Sequence, residues 1–279
     1  MRGKGEIMNY IYINDQLLPS AEATLNVRDL SIQRGYGLFD FFKTIGGRPI
    51  FLDDHLDRFF HSADEMGLEV NFTREELKSM ISNLINKNNI PDSGIKLILT
   101  GGYSDDGFSL SSPTNLVIQQ TPLIIKNLSD SGIKLMSYHY QRQVPSAKSI
   151  DYVQAIRLQK QMRESGAGEI LYYYNNVVGE SPRSNFFIVT DNEILTAENN
   201  ILKGVIRGKI LGLNVPGYTV AERDFTMDDL FAAKEAFLSS TTRQAHPVVA
   251  VDGQPIGKGQ PGPVVREINR QLFELMEKE

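Results

Sequence analysis

The chain opens on an apolar run, Tyr10-Ile11-Tyr12-Ile13, then the turn pair Asn14-Asp15 and a second apolar pair, Leu17-Leu18, which together predict a β-hairpin. A glycine-punctuated stretch, Arg34-Gly35-Tyr36-Gly37-Leu38-Phe39-Asp40, leads into a strand over 41–45, and Gly46-Gly47 signals a turn. From 52 to 66 the apolar spacing lengthens to the helical period through Leu56, Phe59, Phe60 and Ala63, and Gly67 suits the C-cap. A second helix is predicted over 73–87, with Thr73 as N-cap and Glu76 at the capping-box position. Residues 95–100 and 115–120 read as strands. Turn formers crowd positions 121–132, which predicts an interdomain linker over 123–132 between domains 1–122 and 133–279. The second half is predicted to carry strands at 133–140, 169–174, 185–190, 193–196 and 235–239, and a hairpin at 249–251 turning on Asp252-Gly253. Helices are predicted at 152–165, closed by Gly166, at 205–213 after Gly204, and at 263–277. Hairpins mixed with helices indicate an α+β chain of two domains rather than a doubly wound sheet.

Composition narrows the partners. The formal net charge of -5 argues against nucleic acid or an anionic membrane as the main partner, although a local basic pocket remains compatible with it. No apolar run approaches the roughly 18 residues of a membrane span. The first residues, Met1 to Ile7, show no signal-peptide pattern. The absence of cysteine removes disulfides and thiolate chemistry and fits a cytoplasmic protein. His55 and His61 match no common metal spacing, so no metal site is expected.

Two ionisable residues stand out by context. Lys148, in Pro145-Ser146-Ala147-Lys148-Ser149-Ile150-Asp151-Tyr152, falls between a predicted strand and a predicted helix. That is a place from which a side chain can enter a cleft, where burial would free the neutral amine as a nucleophile. Glu180 follows in Val178-Gly179-Glu180-Ser181-Pro182-Arg183-Ser184-Asn185. Taken singly, each is equally a solvated loop residue. Arg58 on the first long helix fits either an ion pair with Asp54 or a phosphate clamp. The helix start after Gly204, at Val205 and Ile206, offers free backbone N–H groups to a phosphate. Ser239-Ser240-Thr241-Thr242 offers hydroxyls, or simply a turn.

In their order and spacing these segments resemble the fold-type IV (class IV) pyridoxal phosphate (PLP)-dependent aminotransferases, and the resemblance covers nearly the whole chain. It implies that Lys148 is the Schiff-base lysine and that Glu180 pairs with the pyridine nitrogen. It also implies a phosphate held by Arg58, the backbone of Val205 and Ile206, Ser240 and Thr241, with Tyr152 on the cofactor's phenolic oxygen. Members assemble as dimers, so a homodimer is expected. Three positions depart from the family pattern: Ile206 stands where threonine is common, Arg183 where small residues are usual, and Asp40 where glutamate is usual.

The implied activity is amino-group transfer between an amino acid and a 2-keto acid such as 2-oxoglutarate or pyruvate, both small-molecule partners. A lyase of the 4-amino-4-deoxychorismate type is the alternative. Gly94 occupies the place of a tyrosine found in branched-chain L-amino acid enzymes, while Lys96 matches a basic position. Gly101-Gly102-Tyr103 stands where D-amino acid enzymes carry an arginine and a histidine. Ser239-Ser240-Thr241-Thr242 is nevertheless closer to the D-amino acid group, which places D-amino acids ahead of branched-chain ones. Arg28, read as coming from a partner subunit, and Lys96 are candidate carboxylate binders, and Thr242 is a further substrate-binding candidate. Arg28 equally suits a surface ion pair with Asp29 or a neighbour. Tyr36, Phe39 and Tyr103 line the side-chain pocket on this resemblance, although core packing explains the first two equally well.

Overall fold

Two sheets account for the strand periodicity, and each belongs to its own unit. The computed structural model describes residues 9–126, 130 and 132–279. The opening residues read for a signal peptide, and positions 127–129 and 131 of the expected linker, lie outside the described residues. Contacts divide the chain into one unit of Met1–Ile125 with Ala147–Asp151, and a second of Lys126–Ser146 with Tyr152–Glu279.

The first unit runs β1 (Tyr10–Ile13), β2 (Gln16–Pro19), α1 (Leu30–Arg34), β3 (Gly37–Ile45), β4 (Arg48–Pro49), α2 (Leu52–Glu65), α3 (Arg74–Asn88), β5 (Ser93–Thr100) and β6 (Asn115–Pro122). Its six strands form one antiparallel sheet in the order β2-β1-β6-β5-β3-β4. The expected capping box on α3 is present, with Thr73 and Glu76 each satisfying the other's backbone. Leu56, Phe59 and Ala63 of α2 and Leu77, Ile81 and Leu84 of α3 pack on Leu38, Phe42, Leu97 and Leu99 of the sheet as one core. Strand β3 begins at Gly37, earlier than the apolar run alone indicates, because Gly37 to Thr44 pair continuously with β5.

The segment around Lys148 belongs to this unit, not to the second half in which it falls by sequence. Phe39 N donates to the Lys148 carbonyl (2.9 Å), Ile150 N donates to the Gly37 carbonyl (3.0 Å), and Lys148 N donates to Ser62 Oγ (3.1 Å). An edge of β3 therefore captures the segment through backbone groups, which a side-chain pattern does not reveal.

The second unit comprises β7 (Ile133–His139), α4 (Val153–Arg157), α5 (Gln159–Glu164), β8 (Glu169–Tyr174), β9 (Val177–Val178), β10 (Glu180–Ser181), β11 (Ser184–Val189), β12 (Glu193–Thr196), α6 (Val205–Leu211), β13 (Thr219–Glu222), α7 (Met227–Ala232), β14 (Glu235–Ser240), β15 (Gln244–Val251), β16 (Gln254–Pro255) and α8 (Pro263–Glu277). Its sheet is mixed, in the order β13-β12-β11-β14-β15-β7-β8-β9. The single helix expected over 152–165 is interrupted at Leu158, which is 4% exposed, whereas α4 and α5 on either side bury no residue. Leu158, with half-buried Met162, packs on Met136, Ile170 and Tyr172 and so fixes a largely solvated segment. Among the described residues no helix is long and apolar enough to cross a membrane.

Candidate active site

In the first unit, alternation along β3 sends Leu38, Asp40 and Phe42 to one face and Phe39, Phe41 and Lys43 to the other. The Phe39 ring receives two ammonium groups, with Lys148 Nζ 4.7 Å and Lys96 Nζ 4.8 Å from its centroid. Burial pulls the Lys96 pKa below its usual value. A Cβ on Gly94 would collide with the Phe41 ring, which fills the space that a larger residue at 94 would need. Lys43, opposite Gly94, was missed by sequence reasoning; it is 1% exposed, and its Nζ has no hydrogen-bond partner.

On the opposite face, Asp40 collects three donors. Arg58 gives Nε (2.8 Å) and Nη2 (2.9 Å), and His55 gives Nδ1 (2.7 Å). Burial opposes the Asp40 charge, yet Arg58 and His55 overcome it and hold the carboxyl well below the usual carboxylate range. Burial likewise depresses the His55 pKa and keeps the imidazole neutral. The guanidinium of Arg58 is thus fixed by Asp40, and its Nη1 makes no hydrogen bond to a described residue. The Tyr36 hydroxyl donates to the Met66 carbonyl while its ring packs on the core. Arg28 pairs with Asp105 at 3.0 Å, both exposed, whereas Asp29 caps α1 and accepts from Thr100 and Asn115.

In the second unit, Glu180 is 7% exposed and held at both oxygens. Oε1 accepts from Arg142 Nε (3.0 Å) and Nη2 (2.9 Å); Oε2 accepts from Asn185 Nδ2 (3.1 Å) and Leu202 N (3.2 Å). Neither Arg142 nor Asn185 was picked out as a site residue. Arg142 lies in a loop without periodicity, and Asn185 reads as the start of a strand. Register does place Asn185 opposite Glu180, two positions on either side of a tight turn.

Asn185 also donates to the Leu202 carbonyl (2.7 Å), and a Cβ on Gly204 would collide with its Oδ1. Gly204 is the N-cap of α6 without a side-chain cap, followed by buried Val205 and Ile206. The β14–β15 turn carries Ser240, Thr241 and Thr242; Thr242 is exposed, and the Ser240 hydroxyl is buried without a partner. Tyr152 is the N-cap of α4. Arg183, in the turn between β10 and β11, bonds Glu169 at 2.9 Å. Among the described residues no group of three or more acidic or histidine side chains could hold a metal ion.

A family model described as amino-transferase class IV matches residues 37–251. The D-alanine aminotransferase of Bacillus licheniformis is 29% identical over 269 residues, which cover 94% of this chain and 95% of that protein. A putative branched-chain-amino-acid aminotransferase of Methanocaldococcus jannaschii is 27% identical over 282 residues, 96% of each chain. The branched-chain aminotransferase of the thermophilic archaeon Thermoproteus uzoniensis, solved with norvaline, has the same fold, with a TM-score of 0.88 at 23% identity over 98% of this chain and 96% of that one. On these grounds the chain belongs to the class IV aminotransferases, which are pyridoxal 5'-phosphate-dependent transaminases.

Proposed function

We propose that the protein is a D-amino acid transaminase that passes the amino group to a 2-keto acid such as pyruvate or 2-oxoglutarate. The observation that carries the cofactor assignment is Glu180: a buried carboxylate whose two oxygens are both oriented is a fitting partner for a protonated ring nitrogen. Other groups fit the remainder of PLP. Arg58 is clamped by Asp40 with Nη1 open, and the buried Ser240 hydroxyl lacks a partner, as a phosphate site requires. The missing hydroxyl at Ile206 leaves the backbone amides of Val205 and Ile206, with Thr241, to complete that set. Tyr152 is assigned to the phenolic oxygen.

When bound, the cofactor accepts the electron pair left at the substrate Cα. Lys148 Nζ would be its covalent attachment point, and as a free amine it would take the proton from the substrate Cα onto Nζ and return it to the cofactor carbon that held the amino group. Lys148 is assigned the general-base role there, with its Nζ over the Phe39 ring. Lys96, Phe39 and Thr242 are assigned to the substrate, with Tyr36 behind them; Arg28 is assigned to the site of a second copy. Exposed Val153 and Ile156 on α4 support assembly as a homodimer, which sedimentation would test.

Handedness rests on the D-alanine aminotransferase relative and on the Ser-Ser-Thr-Thr turn. The test follows PLP absorbance while the protein is mixed with single amino acids. Loss of the bound-cofactor band with D-alanine or D-glutamate, and not with L-leucine or L-valine, is the expected result. The reverse pattern makes it a branched-chain enzyme, and no band at all refutes the Lys148–Glu180 assignment. Pyruvate formed from 4-amino-4-deoxychorismate without a keto-acid acceptor makes it a lyase.

A further inference from the structure

Two hairpin tips lie side by side in the second unit. Ser181 pairs with Ser184 across the turn that holds Arg183, and Ser240 pairs with Gln244 across the turn that holds Thr241, Thr242 and Arg243. The pairing of Asn185 with Ser239 brings these tips together. Both arginines then converge on one carboxylate: Arg183 Nη2 and Arg243 Nη2 stand 2.9 and 3.0 Å from the same Oε2 of Glu169, which is 4% exposed.

Two guanidinium groups share this one carboxylate. On the same two hairpins Arg243 Nη1 and the hydroxyls of Ser181 and Ser184 are buried without a hydrogen-bond partner. Buried donors left unpaired are costly, so their presence beside two guanidinium groups held by a single carboxylate marks a place prepared for an anion. Arg183 itself is more than half exposed and open to a ligand from solution.

Glu180 and Thr241, assigned above to the cofactor, sit on these same two hairpins. We infer that Arg183 and Arg243, tethered by Glu169, receive the carboxylate of the amino acid and keto acid substrates. The inference rests on the transaminase reading of the preceding subsection. Glu169 orients both forks by occupying one nitrogen of each, and their remaining nitrogens face the carboxylate as charge-assisted donors. The amino-acid carboxylate then gives the two guanidinium groups a second anionic acceptor.

The test uses the PLP-loaded enzyme with Arg183→Ser, Arg183→Lys and Arg243→Lys. Arg183→Ser exchanges an exposed turn residue, so the fold is retained. KM for D-alanine, and the Kd of propionate read from cofactor absorbance, should both rise about 10-fold or more, with kcat changed less than about threefold. PLP affinity should stay within about twofold, and the rate with D-alaninol, which lacks the carboxylate, should be unchanged. Arg183→Lys should restore part of the loss, and Arg243→Lys should weaken propionate in the same sense. Unchanged propionate binding in Arg183→Ser overturns the inference, as does an equal loss with D-alaninol. So does a propionate loss found only in Lys96→Met. A wild-type protein that never binds PLP overturns the transaminase reading together with this one; a wild type that binds PLP while Arg183→Ser behaves normally overturns this one alone.

Discussion

Replacing Lys43 by methionine should stabilise the protein, and the gain should depend on pH. Lys43 lies near the end of β3, next to the short edge strand β4, 1% exposed, with its ammonium unpaired, and burial lowers its pKa from 10.5 to about 8. Between those two values the unfolded chain holds the proton more tightly than the folded chain does. Stability therefore rises with pH through that window and carries the full penalty below about 8. The drop of about 2.5 pKa units, at about 1.4 kcal/mol each, corresponds to about 3 kcal/mol of penalty at pH 7, shrinking below about 1 kcal/mol by pH 10. Lys43→Met keeps the unbranched stem and removes the charge, so urea unfolding should show a gain of about 2–3 kcal/mol at pH 7. Comparing the variant with the wild type at each pH cancels every other titration. The reasoning is refuted if the variant is less stable at pH 7, or if its advantage is the same at pH 7 and pH 10.

Lys148→Ala should abolish both the bound-PLP absorbance and turnover; retention of either refutes its role. Arg142→Met removes the two donors that orient Glu180 Oε1 towards its assigned role, so PLP affinity, read by titration, should fall by about 1.5–3 kcal/mol. Gly204→Ala should weaken PLP at least about tenfold, because the new Cβ displaces Asn185 and with it one of the Glu180 contacts. Asp40→Asn breaks a buried pair with Arg58 and should cost about 3–5 kcal/mol in urea unfolding at pH 7. Because the Asp40 pKa is depressed, the difference should fade only in strong acid, and a difference already lost at pH 5 would exclude that pair as its source.

Local order was legible wherever a side-chain period or a cap carries it. The α3 capping box, the hairpin at Asn14-Asp15 and α8 over Pro263–Glu277 follow directly from such patterns. What stayed hidden is long-range pairing of backbone and charge. The Lys148 segment joins the first unit through hydrogen bonds to Gly37 and Phe39, and no spacing in the chain encodes that. Arg58 had a plausible partner one turn away at Asp54, but the structure gives it Asp40, brought there by β3 packing against α2. Arg183 was flagged by its size in a turn of small residues, yet its partner Glu169 and its companion Arg243 come from different strands and become neighbours only in the folded sheet. Gly94 shows the same limit from the opposite side. As a letter it is an absent tyrosine, while in space it is room already filled by the Phe41 ring. A missing functional group in one strand therefore speaks about chemistry only after the neighbouring strand has been placed beside it.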